Sequence, residues 1–372
     1  MNLQTVASSW ARLLLWLKGP SILKDRAVFL TLYDADPERL IEAVMRLYCT
    51  NRRYTSHYVH QLVRHHRGNP LITLYLESEM GALLRARAFL DTLAASFPGR
   101  DLFRGKRCLD VGANAGHTLL AFCERGARAA VGVEIEQARY ETALMNLDGR
   151  AGAAGCPIQI YHDDILNGPF IRTLPPLDVI FCLDVIEHVR DPRLLVRHLA
   201  SVLSDDPDGF IYLKVGNPFC PKNVLAEPHY QIPGLVLLPA ELARAYYDAC
   251  HLENGIAYGV ESWHSFLGYA EMFRDEGLHC RHLHDAHIRH SDLDRYLELA
   301  EPILPTFRAF CDSRHVDPGV REQVRSYVGD YLAEMEKTFE KYRATDEPAL
   351  DRLIWLKYFP VDSELIVARR SR

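Results

Sequence analysis

Apolar and polar positions divide the chain into stretches with different periodicity. Over residues 1–100, apolar residues recur every three to four positions, as in 37–44 and 77–95, which predicts a mostly helical region. From Arg107 onward, short apolar runs alternate with helical patterns, which is typical of a parallel sheet covered by helices. Beyond Asp292 the pattern is again helical, and this stretch is interpreted as an inserted helical segment.

Several predicted strands end at or near an acidic residue. The strands are assigned to residues 107–111, 129–134, 158–161, 177–183, 209–215 and 278–284, with the last strand drawn from 356–360 and 363–369. The first four are followed or closed by carboxylates, namely Asp110, Glu134, the pair Asp163 and Asp164, and Asp184. Because the carboxyl ends of parallel strands meet at one edge of a sheet, these acids are expected to form a row.

A turn of small residues joins the first strand to the next helix, with the sequence Cys-Leu-Asp-Val-Gly-Ala-Asn-Ala-Gly-His over 108–117. Gly112 and Gly116 can take backbone angles that a β-carbon forbids, and the following helix points free N–H groups at a ligand. The glycine spacing differs from that of dinucleotide folds. A carboxylate at Asp110 would repel a phosphate but attract an ammonium group, which favours a sulfonium-bearing nucleotide over NAD.

Two segments carry a family resemblance. Residues 110–116 resemble motif I of the class I S-adenosylmethionine-dependent methyltransferases, Asp/Glu-x-Gly-x-Gly-x-Gly, although Asn114 replaces the middle glycine. Asparagine tolerates left-handed angles better than most residues. Residues 184–192 resemble the segment after strand four in small-molecule members, often Asp-Val-Leu-Glu-His-x-x-Asp-Pro. The resemblance covers roughly 102–215 and implies a Rossmann-like α/β fold, a mostly parallel seven-stranded sheet with helices on both faces, and S-adenosylmethionine as cofactor.

The strand-end acids suggest how such a cofactor would be held. Glu134 lies 22 residues beyond Gly112, about the distance expected for an acid that accepts both ribose hydroxyls. The acid after strand three can accept from the adenine amino group while Ile165 packs on the ring; Asp164 is preferred, and Asp163 is the alternative. The candidate cofactor-binding residues are Asp110, Gly112, Ala113, Asn114, Gly116, Glu134, Ile135, Asp163, Asp164, Ile165 and Asp184.

His188 is the candidate general base, because the ordinary histidine pKa lies near neutrality. The alternative is that His188 only holds its loop by hydrogen bonds, and Glu187 either orients it or faces solvent. Asp184, Glu187 and His188 fall at i, i+3 and i+4, and His229 could add a fourth ligand. This set is similar to the metal-binding pattern of ubiquinone-pathway O-methyltransferases and small-RNA 2′-O-methyltransferases, with Asp184 in place of their first glutamate. A divalent metal is therefore an alternative.

Composition limits the class of partner. The chain has 372 residues, of which 48% are hydrophobic and 25% charged, as in ordinary globular proteins. A net charge of −6 argues against a broad nucleic-acid-binding face. The nine cysteines form no Cys-x-x-Cys pair, so reduced thiols and a cytoplasmic location are expected. The apolar run 13–17 is too short to span a membrane.

Four parts are predicted along the chain: a helical region over 1–100 that serves as a substrate cap or oligomer contact, a cofactor-binding Rossmann-like core over 101–290, a helical insertion or lid over 291–350, and a last core strand over 351–372. The expected function is methyl transfer from S-adenosylmethionine to an oxygen or nitrogen of a small molecule. The alternatives are a metal-assisted O-methyltransferase, an RNA methyltransferase and a non-catalytic cofactor-binding subunit. The sequence predicts neither the acceptor nor the oligomeric state.

Overall fold

The computed structural model describes residues 24–150, 155–252, 257–284, 290–345 and 347–369, so the apolar run 13–17 lies outside the described residues. The strands are β1 (Arg107–Val111), β2 (Ala129–Glu134), β3 (Ile158–His162), β4 (Val179–Leu183), β5 (Phe210–Gly216), β6 (His279–His282) and β7 (Asp362–Ala368). They follow the order β3-β2-β1-β4-β5-β7-β6 in one mixed sheet, in which β7 runs antiparallel to β5 and β6. The predicted Rossmann-like fold class is confirmed.

Helices separate the strands and fill the N-terminal region. They are α1 (Arg26–Ala35), α2 (Pro37–Tyr48), α3 (Arg52–His66), α4 (Ile72–Met80), α5 (Ala82–Ala95), α6 (His117–Glu124), α7 (Gln137–Leu147), α8 (Gly168–Ile171), α9 (Pro192–Val202), α10 (Pro221–Leu225), α11 (Ala240–Ala249), α12 (Phe266–Asp275), α13 (His290–Ala300), α14 (Ile303–Arg314), α15 (Pro318–Thr345) and α16 (Pro348–Tyr358). No helix among the described residues combines the length and apolar character that crossing a membrane requires.

Two predicted elements are corrected by the structure. The single helix expected over 77–95 is divided at Gly81 between α4 and α5. Residues 356–360 were expected to contribute to the last strand, but Leu356 and Tyr358 belong to α16. The apolar run there continues a helix that begins with a proline at Pro348, a position that favours helix initiation.

The chain forms two compact units, Met1–Asp164 and Ile165–Arg372. In the first unit, Ala115 of the turn after β1 is buried in the same apolar cluster as residues of α1 to α4. The Asn51 side-chain amide donates to the main-chain oxygens of Met145 and Asn146 at 2.9 and 2.8 Å. The N-terminal helices therefore pack directly on the β1–α6 turn and on α7. Their role as a cap or oligomer contact remains a prediction.

The second unit contains β4 to β7 and the helices α8 to α16. The Asn217 side-chain amide donates to the main-chain oxygens of Lys357 and Pro360 at 3.0 and 2.9 Å, and its backbone N–H donates to Val361 at 2.9 Å. These bonds fix the start of the long loop after β5 against the segment that leads into β7. The helices α13 to α15 occupy most of the predicted insertion, whose role as a lid remains a prediction.

The cysteines are not all reduced thiols, contrary to the expectation from their spacing. Cys123 at the end of α6 and Cys156 just before β3 form a disulfide, with a Cα–Cα distance of 5.3 Å and a sequence separation of 33. Strand order brings these two positions together, and a separation of this length leaves no local motif in the sequence. The prediction of a wholly reduced set was therefore wrong for this pair.

Gly132 in β2 is packed closely against Ala113 of the turn after β1 and against Leu119 of α6. A Cβ at this position would lie 2.8 Å from Leu119 Cδ1 and 2.9 Å from Ala113 Cβ. We expect Gly132→Ala to lower the free energy of unfolding by about 1–3 kcal/mol, because overpacking forces neighbours to shift. Urea unfolding measures this effect. Gly68→Ala, whose added Cβ has no heavy atom within 4 Å, is the control and should change it by less than about 0.5 kcal/mol. Equal losses in both variants would contradict the expectation.

Candidate active site

The turn after β1 uses left-handed backbone conformations at three positions. Gly112, Asn114 and Gly116 have φ angles of 71°, 49° and 74°. The backbone N–H groups of Gly112 and Ala113 both donate to the Val133 carbonyl of β2, at 2.9 and 3.0 Å. The asparagine that replaces the family's middle glycine therefore adopts the conformation that the turn requires, and the turn is anchored to the neighbouring strand.

Glu134 at the end of β2 is held rigidly by backbone N–H groups. Its Oε2 accepts from Asn114 N at 2.8 Å and its Oε1 from Glu136 N at 2.9 Å, while Arg139 donates to Asn114 Oδ1 at 3.0 Å. Each carboxylate oxygen keeps a further lone pair for a hydroxyl donor. The next residue, Ile135, is 64% exposed. A fixed acid beside an exposed apolar side chain fits a nucleoside.

Asp110 is buried near the end of β1, with 4% of its surface exposed. Burial raises its pKa to about 7; the Thr118 hydroxyl opposes this shift and the charge of Glu134 adds to it. A cation beside the carboxylate would offset the cost of burying its charge. The residues of the first unit therefore fit a ligand with a cationic amino acid part and a ribose, such as S-adenosylmethionine.

The predicted adenine-binding residues lie after β3. Asp163 N donates to the Glu134 carbonyl at 3.2 Å, and Asp164 N donates to Asp163 Oδ1 at 2.8 Å, so both acids follow directly on the strand beside β2. Both are half-buried. Ile165 is the first residue of the second unit and is 6% exposed, and its carbonyl oxygen lies 2.9 Å from His198 Nδ1. Their contacts with adenine remain a proposal.

The turn after β4 carries the candidate residues of the second unit. Asp184 has a φ of 53°, and its N–H donates to the Lys214 carbonyl at 2.8 Å. The Lys214 Nζ lies 3.6 Å from Asp184 Oδ2 and 3.2 Å from Asp362 Oδ2. A single 3₁₀ turn, Ile186–His188, follows. Among the described residues, the cluster with metal-ligand spacing contains Glu187, His188 and His229, whereas Asp184 pairs with Lys214.

Glu187 is the centre of this cluster and is only 1% exposed. Its Oε1 lies 4.0 Å from His188 Nε2 and 3.9 Å from His229 Nε2, and its Oε2 has no hydrogen-bond partner within the described parts of the chain. Its main-chain oxygen accepts from Glu261 N at 2.7 Å, which holds the turn in place. Burial raises the pKa of Glu187 to about 7, and Asp184 contributes to the rise.

The two imidazoles meet edge to face, with ring centroids 4.8 Å apart. His188 Nδ1 lies 2.8 Å from the Gly259 carbonyl, which can only accept, so Nδ1 carries the proton and the neutral ring has its lone pair on Nε2. Burial lowers the pKa of His188. Burial also opposes the charged form of His229, but the hydrogen bond to Glu227 and the negative charges of Glu227, Glu187 and Asp184 together outweigh it and raise the pKa of His229.

A cavity of about 300 Å³ lies beside this cluster in the second unit. It is lined by Asp184, Glu187, Lys214, Gly216, Pro228, His229, Trp263 and Asp362. The charged lining favours a polar group or an ion as occupant. Sequence reasoning missed Lys214 and Asp362. Lys214 could have been found, since it is the one charged residue in the apolar run of β5.

Comparison with known proteins gives a family and several relatives. A family model described as a methyltransferase domain matches residues 80–293. The ubiquinone biosynthesis O-methyltransferase of Neisseria meningitidis serogroup C is 27% identical over 172 residues, which cover 46% of this chain and 61% of that protein. The enzyme of the same name from Marinobacter nauticus is 27% identical over 182 residues, covering 48% and 66%. The chain thus spans about two thirds or less of the length of these curated relatives.

The solved structures that match this chain have low identity and TM-scores below 0.5. The YcgJ protein of Bacillus subtilis is 18% identical with a TM-score of 0.38, and the match covers 77% of this chain and 99% of that chain. Magnesium protoporphyrin IX methyltransferase from Synechocystis PCC 6803 is 16% identical with a TM-score of 0.34, covering 55% and 73%.

Proposed function

Since this chain belongs to the methyltransferase domain family, as a class I S-adenosylmethionine-dependent methyltransferase, we propose that it methylates a hydroxyl oxygen of a small molecule. The observation that carries this proposal is the cluster of Glu187, His188 and His229 beside a polar cavity. These groups can receive the proton that a hydroxyl must lose. The relatives named O-methyltransferase support oxygen over nitrogen as the acceptor atom.

In this proposal the turn after β1 and the residues that follow β2 and β3 bind the cofactor. S-adenosylmethionine supplies an activated methyl group, so the protein needs chiefly to position the reactants and move one proton. Asp110 would face the cationic amino acid part, and Glu134 would accept the ribose hydroxyls. The remaining contacts are assigned to the main chain of the turn and to the adenine side, namely Gly112, Ala113, Asn114, Gly116, Ile135, Asp163, Asp164 and Ile165.

His188 is assigned as the general base of the second unit. Its Nε2 is the unprotonated nitrogen of the neutral ring, because Nδ1 donates to Gly259. When Nε2 takes the acceptor's hydroxyl proton, the resulting imidazolium lies 4.0 Å from Glu187 Oε1 and is stabilised by the ionised form of Glu187, which prevails above that group's pKa of about 7. Lys214 and His229 line the cavity and would orient the polar part of the acceptor.

Methyl transfer from radiolabelled S-adenosylmethionine tests the function directly. The full chain is incubated with a panel of phenols and catechols and, separately, with a panel of primary and secondary amines, and the products are identified by mass spectrometry. Methyl ethers among the products are the expected result. Methylation of amines alone would contradict the assignment of oxygen, and failure to bind S-adenosylmethionine in calorimetry would contradict the whole proposal.

A metal-assisted variant of the same reaction is the second candidate. One potential ligand atom from each of Glu187, His188 and His229 lies within 4.8 Å of the others. A carboxylate and two imidazoles are a donor set that suits a borderline divalent ion such as Zn²⁺. Such an ion would lower the pKa of a coordinated hydroxyl.

The metal-assisted candidate predicts stoichiometric binding of a divalent ion. Calorimetric titration with Zn²⁺ or Mg²⁺ should show one site in the wild type, and Glu187→Gln should lose it while the exposed His65→Gln retains it. Removal of the ion by EDTA should abolish methyl transfer, and its return should restore the rate. Full activity after exhaustive chelation, together with no binding in the titration, would eliminate this candidate.

A further inference from the structure

We propose that Glu227 is a positioning residue, which fixes the tautomer and the direction of His229 so that the Nε2 lone pair faces Glu187 and the cavity. Glu227 lies in the loop after α10 and carries no signal in the sequence. The catalytic consequence of this inference rests on the proposed function, whereas the assignment of the tautomer does not.

Glu227 is fully buried, with 0% of its surface exposed, and its carboxylate contacts residues of its own loop. The Oε2 atom accepts from two backbone N–H groups, those of His229 at 2.8 Å and Tyr230 at 2.5 Å. The Oε1 atom lies 2.7 Å from His229 Nδ1. One oxygen therefore braces the loop, and the other contacts the imidazole.

The contact with Oε1 determines which nitrogen of His229 carries the proton. An ionised carboxylate can only accept, so His229 Nδ1 must donate, and in a neutral imidazole the lone pair is then on Nε2. That Nε2 lies 3.9 Å from Glu187 Oε1. The ring is also held between His188 and Trp263, with centroid distances of 4.8 and 5.7 Å. Its direction is thus fixed from three sides.

This arrangement has the form of a carboxylate that orients a catalytic or metal-binding histidine from behind. His229 needs the lone pair on Nε2 in order to accept a hydrogen bond or a proton from the acceptor's hydroxyl, and it needs the same lone pair in order to ligate a metal ion. The alternative is that Glu227 has only a structural role, in which its carboxylate holds the loop through backbone hydrogen bonds. The division of labour between Oε1 and Oε2 allows the two roles to be separated experimentally.

Glu227→Gln separates them because glutamine has one acceptor and one donor end. Its oxygen can take the place of Oε2 and keep both backbone hydrogen bonds, so the loop is retained. Its NH₂ group then faces His229 Nδ1 and donates to it, which forces the proton of the neutral ring onto Nε2. We expect kcat to fall on the order of 10²–10⁴-fold, as when an orienting carboxylate is replaced by its amide. Glu227→Asp keeps an acceptor at this place and should recover part of the loss.

The test is ¹⁵N NMR of the histidine side chains in the metal-free full-length chain, recorded above pH 8, with the His229 signals assigned by comparison with His229→Gln. In the wild type, His229 Nε2 should show the shift of an unprotonated nitrogen, and in Glu227→Gln the shift of an N–H nitrogen. Binding of S-adenosylmethionine should be the same in both, which reports that the variant is folded.

A wild-type spectrum with the proton on Nε2 would overturn the inference, and this reading does not depend on the variant folding. An unchanged tautomer in Glu227→Gln, with kcat within twofold of the wild type, would also overturn it. If the tautomer and its reversal are found but the wild type methylates no hydroxyl, the assignment of Glu227 stands and the proposed function fails. The two failures are therefore distinguishable.

Discussion

Replacing Asp110 with asparagine is expected to weaken S-adenosylmethionine binding by about 30- to 4,000-fold, since loss of one charge from a buried charged pair typically costs about 2–5 kcal/mol. Asparagine keeps the shape of the side chain, so the loss reports the charge. Isothermal titration calorimetry on the wild type and the variant measures the effect. Asp178→Asn is the control, because Asp178 is also buried and accepts a hydrogen bond from Ser204 at 2.7 Å. Equal weakening in both variants would contradict the role of Asp110.

The same residue predicts a pH dependence of binding. In the free protein the pKa of Asp110 is about 7, above its ordinary value, so folding favours its protonated form. A cationic ligand requires the ionised form. Affinity should therefore rise by up to about tenfold per pH unit below pH 7 and level off above it, and this slope should be absent in Asp110→Asn. Parallel pH profiles in the wild type and the variant would show that another group controls binding.

His188→Gln is expected to lower kcat on the order of 10²–10⁴-fold, the usual contribution of a general base, without changing the affinity for S-adenosylmethionine. Burial lowers the pKa of His188, so its neutral, base-competent form prevails at neutral pH. The wild-type rate should therefore fall only when the pH drops below the ordinary histidine value of about 6.5. Rates of methyl transfer measured across the pH range test both statements.

His282→Gln is the matched control for His188. His282 is buried, and its Nδ1 lies 2.9 Å from a main-chain carbonyl, that of His284. Its replacement should affect stability and leave kcat of the folded enzyme unchanged. An equal loss of kcat in both variants, or a His188→Gln enzyme as active as the wild type, would reduce His188 to the loop-holding role that the sequence left open.

Much of the fold was predictable because its signals are local. The bounds of β1 and β2 agree with the sequence prediction to the residue, since each is a short, largely apolar run with an acid at its last or next-to-last position. The turn between β1 and α6 was predictable from its glycines and from the tolerance of Asn114 for left-handed angles. The helical character of the N-terminal stretch followed from its periodicity.

What could not be predicted depends on contacts between residues far apart in sequence. The helix break at Gly81 lies inside a periodic pattern without proline, and the Cys123–Cys156 disulfide is set by strand order. Glu227 is proposed to act through a loop whose start is held by the side-chain hydrogen bonds of Asn217. In such a loop no spacing rule relates an acid to the imidazole that it contacts.

Ala115 of the glycine-rich turn is buried among the N-terminal helices, so the conformation of the turn depends on how these helices pack. Inherited changes on the buried faces of α2 or α3 would then behave like active-site defects, although the altered residues touch neither reactant. A survey of inactive variants would find two groups, one with changes in the active site and one with changes in these helices. The second group would lose activity more strongly as the growth temperature rises.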